Sequence, residues 1–348
     1  MEKDNKNENK EIKDLNEINY KIPNEIVEKR KVSKSKNLPI KYNCIKTIKP
    51  YKVEITYILF LKSSNIIVTS SLDPEIETWT FDSEDSNSNL KLLSILEGHS
   101  MSVIYLKEFQ NLNCIASCSN DNTLKLWNIY KKLCLKTFYI ISGSFLTCCY
   151  NPKYNMEIYT AGTREDIIVW GGAAFPLNYN YVEKIKFDAC KKGIKIIEFI
   201  EDCDIIASCG RDNIIKFFDW NNNYACVEEI FLGSEIKNAK YIYKRFIVSC
   251  IDGNIHFIDV NLLQLEKSVQ FGKNFILDFL IFDYERYMLM GCSDGNIRLW
   301  EIGTKDRAIL RGHEKEVIGL GFCDINYKYI ISASKDLSLK IWQKDDIP

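Results

Sequence analysis

The stretch ISASKDLSLKIWQKDDIP (331–348) decides the fold. Ile331-Ser332-Ala333 closes one apolar run, Lys335-Asp336 turns, and Leu337 to Trp342 alternates polar and apolar, the period of a half-buried strand. Its pattern is small residues, then an Asp, then alternating residues that end six positions later in an aromatic. The pattern returns in TSSLDPEIETW (69–79), SCSNDNTLKLW (117–127), SCGRDNIIKFF (208–218), VSCIDGNIHFI (248–258) and MGCSDGNIRLW (290–300). TAGTREDIIVW (160–170) matches in all but the acid, with Arg164 at the Asp position. The copies end at 79, 127, 170, 218, 258, 300 and 342, a period of 40 to 48 residues. Self-similarity at this period is the mark of a repeat architecture.

The physics of one unit is legible. Asp-Asn, Asp-Gly and Asp-Pro make tight turns, because the Asp side chain bonds backbone N–H groups two residues on. Before each hairpin lies another apolar run, such as VIGLGF (317–322) or FLTCCY (145–150). Four short strands fit a repeat of this length; a helix of ordinary length does not. The last copy supplies only three strands, and a sheet edge needs cover. CIKTI (44–48) is the candidate fourth, for it repeats CLKTF (134–138) almost residue for residue. A strand from the N-terminal side is therefore predicted to complete the last unit.

The 348 residues are 46% hydrophobic and 27% charged, the balance of a globular protein with a sizeable core. No apolar run reaches the ~18 residues of a membrane helix, and MEKDNKNENKEIKD (1–14) lacks the apolar centre of a signal peptide. The expected location is the cytosol or nucleus. Thirteen Cys without a C-x-x-C pair, beside three His, argue against zinc and read as small core hydrophobes. Net charge is −1, unevenly spread: residues 29–49 carry eight basic residues and no acid.

The repeat resembles that of the WD-repeat β-propeller family over roughly residues 43–345. Gly98-His99 stands about one unit before Trp127, and Gly312-His313 likewise before Trp342. The final Asp has drifted to Trp127-Asn128, Trp300-Glu301 and Trp342-Gln343. The resemblance implies an all-β chain: a seven-bladed propeller of four-stranded antiparallel blades over 41–348, closed by the N-terminal strand, behind a charged tail at 1–40. It also implies buried polar tetrads, His99, Ser117, Asp121 and Trp127 in blade 2 and His313, Ser332, Asp336 and Trp342 in blade 7. Blades 3 to 6 lack a Gly-His, so they are expected to depend more on apolar packing.

No catalytic constellation stands out. There is no G-x-S-x-G, H-E-x-x-H or G-x-x-x-x-G-K-[ST]. Gly319-Leu320-Gly321 lacks the third Gly of a dinucleotide loop and sits in a strand, and His256 has no evident partner. The expectation is a scaffold without cofactor or metal, docking other proteins within a complex. The resemblance places docking on the face made by the turns before each third strand. Leu72, Asn120, Thr163, Arg211, Ile251, Ser293 and Lys335 precede those turns and should be exposed. Arg164, Lys191, Lys192 and Arg211 could meet there as a dock for an acidic or phosphorylated segment. Phe145 reads as core and Phe275 is ambiguous. On the opposite face, GGAAFPLNYNY (171–181) should expose Phe175, Tyr179 and Tyr181. The run KRKVSKSK (29–36), with Lys29, Arg30, Lys31, Lys34 and Lys36, looks like a nuclear-import signal or nucleic-acid patch. That keeps a nucleic-acid-associated subunit as the alternative. No W-D-x-R box follows a blade-ending Trp, which counts against a ubiquitin-ligase substrate receptor.

Overall fold

Alternation does build strands. In the computed structural model, which describes residues 38, 40–61, 64–82, 90–140, 143–153, 157–172, 181–305, 307–324 and 326–345, these residues form seven antiparallel four-stranded sheets. Each sheet is one blade of a propeller. Blade 2 is typical: Val103–Phe109 lies innermost, Cys114–Ser119 next, Thr123–Asn128 third and Leu133–Tyr139 outermost. Its second strand is buried at every position, because both of its faces pack on neighbouring blades. Its outer strand is largely exposed. The inner strands touch in sequence around a ring, and that of blade 7 (Val317–Phe322) meets that of blade 1 (Ile55–Phe60).

The missing strand is where the sequence places it. Tyr42–Ile48 pairs antiparallel with Leu339–Lys344, Cys44 opposite Trp342 and Ile48 opposite Leu339. Tyr42 and Ile40 are buried against a core that includes Trp342 and Leu299. Blade 7 is thus three strands from one end of the sequence and one from the other. Each backbone bond of such a strand contributes about 1 kcal/mol net.

The glycines that hinted at a nucleotide loop serve this closure instead. A Cβ on Gly319 would lie 2.1 Å from Ile58 Cγ2, and one on Gly321 would lie 2.0 Å from the Phe60 ring. Blade 7 and blade 1 approach so closely that only glycine fits between them.

Ion pairs tie the inner strands together. Lys107 of blade 2 reaches Glu198 of blade 4 at 2.5 Å. Asp278 of blade 6 accepts the Lys240 ammonium of blade 5 at 2.5 Å and the Leu320 amide of blade 7 at 2.8 Å.

Most cysteines are buried, whereas Cys44, Cys134 and Cys226 are exposed on outermost strands. Outer strands face solvent, so the core reading does not extend to these three.

Candidate docking face and the polar chains behind it

In blade 2, Trp127 Nε1 lies 2.8 Å from Ser117 Oγ, Ser117 Oγ 2.7 Å from His99 Nε2, and His99 Nδ1 2.7 Å from Asp121 Oδ2. An indole can only donate and a carboxylate only accept. The chain therefore has one sense: Trp N–H to Ser, Ser O–H to His Nε2, His Nδ1–H to Asp. Blade 7 repeats it through Trp342, Ser332, His313 and Asp336 at 2.8, 2.7 and 2.8 Å. Asp121 also accepts the Ser100 and Thr123 amides, so it anchors the inter-blade loop to the turn. Gly98, at φ 144°, brings that loop over the indole, where a Cβ would sit 3.2 Å from Trp127 Cη2.

The electrostatics follow from burial. It lowers the pKa of His99 and of His313, outweighing the carboxylate beside each, so both imidazoles are neutral. Burial alone would raise Asp336, but bonds from Ser338, the Glu314 amide and His313 bring it down to about 2.

Elsewhere the chain is rebuilt or broken. In blade 1, Tyr51 stands four residues before the inner strand, as His99 does in blade 2. Trp79 Nε1 donates to Thr69 Oγ1 at 2.9 Å and reaches the Tyr51 hydroxyl at 3.2 Å, and the two hydroxyls bond each other. Aligning PYKVEI (50–55) on GHSMSV (98–103) by that offset would have revealed it. Blade 3 keeps only Trp170 Nε1 to Thr160 Oγ1, at 2.8 Å. Blade 4 has Phe218 for the Trp, and the buried Ser208 Oγ has no hydrogen-bond partner among the described residues. Blade 5 has Val248 and Ile258 at these places; its His256 bonds Ser268 at 2.8 Å through Nδ1, while Nε2 is buried and unpaired. In blade 6, Met290 replaces the Ser, and Trp300 turns to the Thr304 carbonyl at 3.0 Å.

Blades 3 and 4 are clasped differently, at the opposite face. Buried Glu157 accepts from Lys184 Nζ at 2.8 Å, Tyr159 at 2.9 Å, Trp220 Nε1 at 2.9 Å and Tyr224 at 3.0 Å. Burial pushes its pKa up, but the four donors leave it below the ordinary carboxylate value.

The predicted cations divide. Glu165 O accepts the Ala189 and Cys190 amides at 2.8 and 3.0 Å, and Gly193 O accepts that of Arg211 at 2.9 Å. The turn of blade 3, the loop 189–193 and the turn of blade 4 are thus one hydrogen-bonded run. Along it Lys191, Lys192 and Arg211 are exposed, and among the described residues none of the three is in an ion pair. Arg164 lies on the same run but is committed to Asp166 by a two-bond fork, Nε to Oδ1 at 2.8 Å and Nη2 to Oδ2 at 3.0 Å. Lys335 stands apart on blade 7, paired with Glu316 at 2.5 Å. Of the residues before the turns, Leu72, Asn120, Thr163, Arg211 and Ile251 are exposed; Ser293 and Lys335 are half-buried.

Tyr181 corrects an expectation. It opens the outer strand Tyr181–Asp188 and is buried, its ring 5.7 Å from that of Phe138. An apolar ring at the start of an edge strand gains more by folding under the blade than by facing water. Phe145 is buried, and Phe275 is half-buried with the Lys237 ammonium 5.3 Å from its ring. Phe175, Tyr179 and the basic run with Lys29, Arg30, Lys31, Lys34 and Lys36 lie outside the described residues.

Comparison with known proteins agrees with this geometry. The profile of the family "WD domain, G-beta repeat" matches residues 90–128 and 304–343, the two stretches that carry the full polar chains. A Denticleless protein homolog of Danio rerio is 22% identical over 311 residues, covering 75% of this chain and 48% of its own length. That of Gallus gallus is 19% identical over 318 residues, 77% of this chain and 44% of its own. The U3 small nucleolar RNA-associated protein 21 homolog of Schizosaccharomyces pombe is 28% identical over 102 residues, 29% of this chain and 11% of its own. The chain spans about half the length of the Denticleless relatives it matches. With seven four-stranded blades and a ring closed by its N-terminal strand, the chain is a β-propeller, and two of its blades match the WD repeat.

Proposed function

We propose that the chain is a non-catalytic scaffold that docks an acidic or phosphorylated segment of a partner protein across blades 3 and 4. The observation that supports this is the unpaired trio Lys191, Lys192 and Arg211 on one hydrogen-bonded run of backbone. Arg164 and Lys335, by contrast, are paired with Asp166 and Glu316. Like charges held side by side are a cost to the free protein that an anionic partner removes. Backbone bonding fixes their spacing before the partner arrives, which reduces the ordering cost of binding. The non-catalytic part of the reading is supported by His99 and His313. Each bonds a serine, Ser117 or Ser332, that is fully buried and also holds a Trp indole, so neither His–Ser pair meets a substrate.

Membership of a larger complex in the nucleus or cytosol fits this reading.

The test is a native pull-down with mass spectrometry, comparing the intact chain with a variant carrying Lys191→Glu, Lys192→Glu and Arg211→Glu. Arg164 is left in place because its charge is already paired. Both forms should show the same melting temperature. A set of partners lost from the variant, and weakened by salt in the wild type, is the expected result. An unchanged set of partners would sink the reading.

A further inference from the structure

The other face carries a second feature, where blades 5 and 6 meet. A cleft of about 120 Å³ opens there. Its floor is apolar, formed by Ile242, Ile247, Phe257, Ile281 and Ile302, and its rim holds Tyr243, Arg245, Lys267 and Glu285. The rim charges are unequal. Arg245 is used twice, by Glu266 at 2.6 Å and by Glu285. Lys267 has no carboxylate partner among the described residues; its ammonium lies 4.6 Å from the centre of the Phe257 ring. The cleft therefore offers an apolar hole with one cation at its edge that is in no ion pair among the described residues.

A strained turn stands beside it. Asp283, Tyr284 and Glu285 have φ of 53°, 51° and 63°, three successive non-glycine residues in the left-handed region. Such backbone is costly and persists where the surroundings impose it. Here it holds Glu285 against Arg245 and projects Tyr284 to 94% exposure, while Tyr243, itself at φ 49°, is 44% exposed at the rim. An aromatic ring held out in water by a turn that glycine would favour has no role in the fold's own packing.

We propose that this cleft binds a short extended peptide of a partner protein. One aliphatic side chain fills the hole, a carboxylate within two residues of it pairs with Lys267, and Tyr243 and Tyr284 flank the peptide. A cleft with room for one side chain suits a peptide rather than the broad apolar face that a second copy of the chain would need. The carboxylate must lie on the Lys267 side, since Glu285 repels it on the other.

The experiment selects phage-displayed random heptapeptides on the full chain. The recovered consensus, synthesised, is titrated by isothermal calorimetry. The expected consensus pairs Ile, Leu or Val with Asp or Glu no more than two positions away. Lys267→Glu should weaken the peptide at least tenfold, and Tyr284→Gly at least threefold. Tyr284→Gly relieves the turn, so it should melt no lower than wild type and separates binding from folding. Lys267→Gln, without charge reversal, should give a smaller loss than Lys267→Glu. The Lys191/Lys192/Arg211 triple variant, on the opposite face, should bind the peptide unchanged. Absence of a consensus, a consensus without an acid, a peptide indifferent to Lys267→Glu, or one lost in the triple variant would each overturn the proposal. So would concentration-dependent dimerisation that Tyr284→Gly abolishes, since the occupant would then be a second copy.

Discussion

Blades 7, 1 and 2 are stitched by polar chains, and blades 3 to 6 are not. In the first group a Trp, a hydroxyl and a His or Tyr are joined in every blade. In the second the chain shrinks to one bond in blade 3, is diverted to a carbonyl in blade 6, and leaves Ser208 unpaired in blade 4. The stitched arc is the one where the two parts of the sequence meet. A blade assembled from distant segments has no local turn to set its register, and a fully satisfied polar chain fixes one arrangement better than apolar packing does. The unstitched arc keeps its blades together by cores of Ile, Phe and Cys and by the Glu157 clasp. It is also the arc whose inter-blade loop is released from the Gly-His pattern: Ala189-Cys190 stands there, followed by the two lysines of the proposed dock.

The severest way to break this comparison is to remove the closing strand. Deleting residues 1–49 should abolish cooperative unfolding or cause aggregation, while deleting 1–38 should shift the melting temperature by a few degrees at most. Equal melting curves for the two truncations would mean that closure does not rest on Tyr42–Ile48. Next in size is the clasp of the unstitched arc. Glu157→Ala leaves the buried Tyr159 hydroxyl and three other donors without their acceptor and should cost about 3 kcal/mol in urea unfolding, the upper end for unpaired buried polar groups.

Equivalent serines then give opposite signs. Ser117→Ala cuts a complete chain between Trp127 and His99 and should destabilise by about 1–3 kcal/mol. Ser208→Ala removes a buried hydroxyl with no partner and should be neutral or stabilising by about 1 kcal/mol. Equal losses at both positions would show that the chains do not act as units.

Acid should produce the smallest effect. The folded pKa values of His99 and His313 lie below the ordinary 6.5, so the unfolded chain binds more protons. Their contribution is complete above pH 6.5 and fades as pH falls below it. A further loss follows as pH drops from about 4 toward 2, where Asp336 takes its proton. In the double variant His99→Tyr with Ser117→Thr, which copies blade 1 into blade 2, the first decline should be shallower. An unchanged slope between pH 7 and 5 would assign the acid sensitivity to other groups.

Local physics was enough for much of this. Seven copies of one turn-and-strand pattern, their period and the likeness of CIKTI to CLKTF fix blade number, blade content and closure, because turn chemistry and alternation act over a few residues. The residues that bond in blades 2 and 7 were implied by the resemblance to the WD repeat, carried by the Trp-ending strands and the two Gly-His pairs. Tyr51 escaped because its role depends on an offset from a strand rather than on a motif. The burial of Tyr181 escaped because strand edges are set by packing on the neighbouring blade.

Pairing of charge was beyond the sequence. Arg164, Lys191, Lys192 and Arg211 are alike in the sequence, and the tertiary structure separates them, since Asp166 pairs with one and, among the described residues, no carboxylate pairs with the others. The cleft between blades 5 and 6 was equally invisible, for its walls come from residues 242 to 302 on two blades. A repeat is a local property and can be read along the chain; neutralised charge and shaped space are properties of neighbours that only folding brings together.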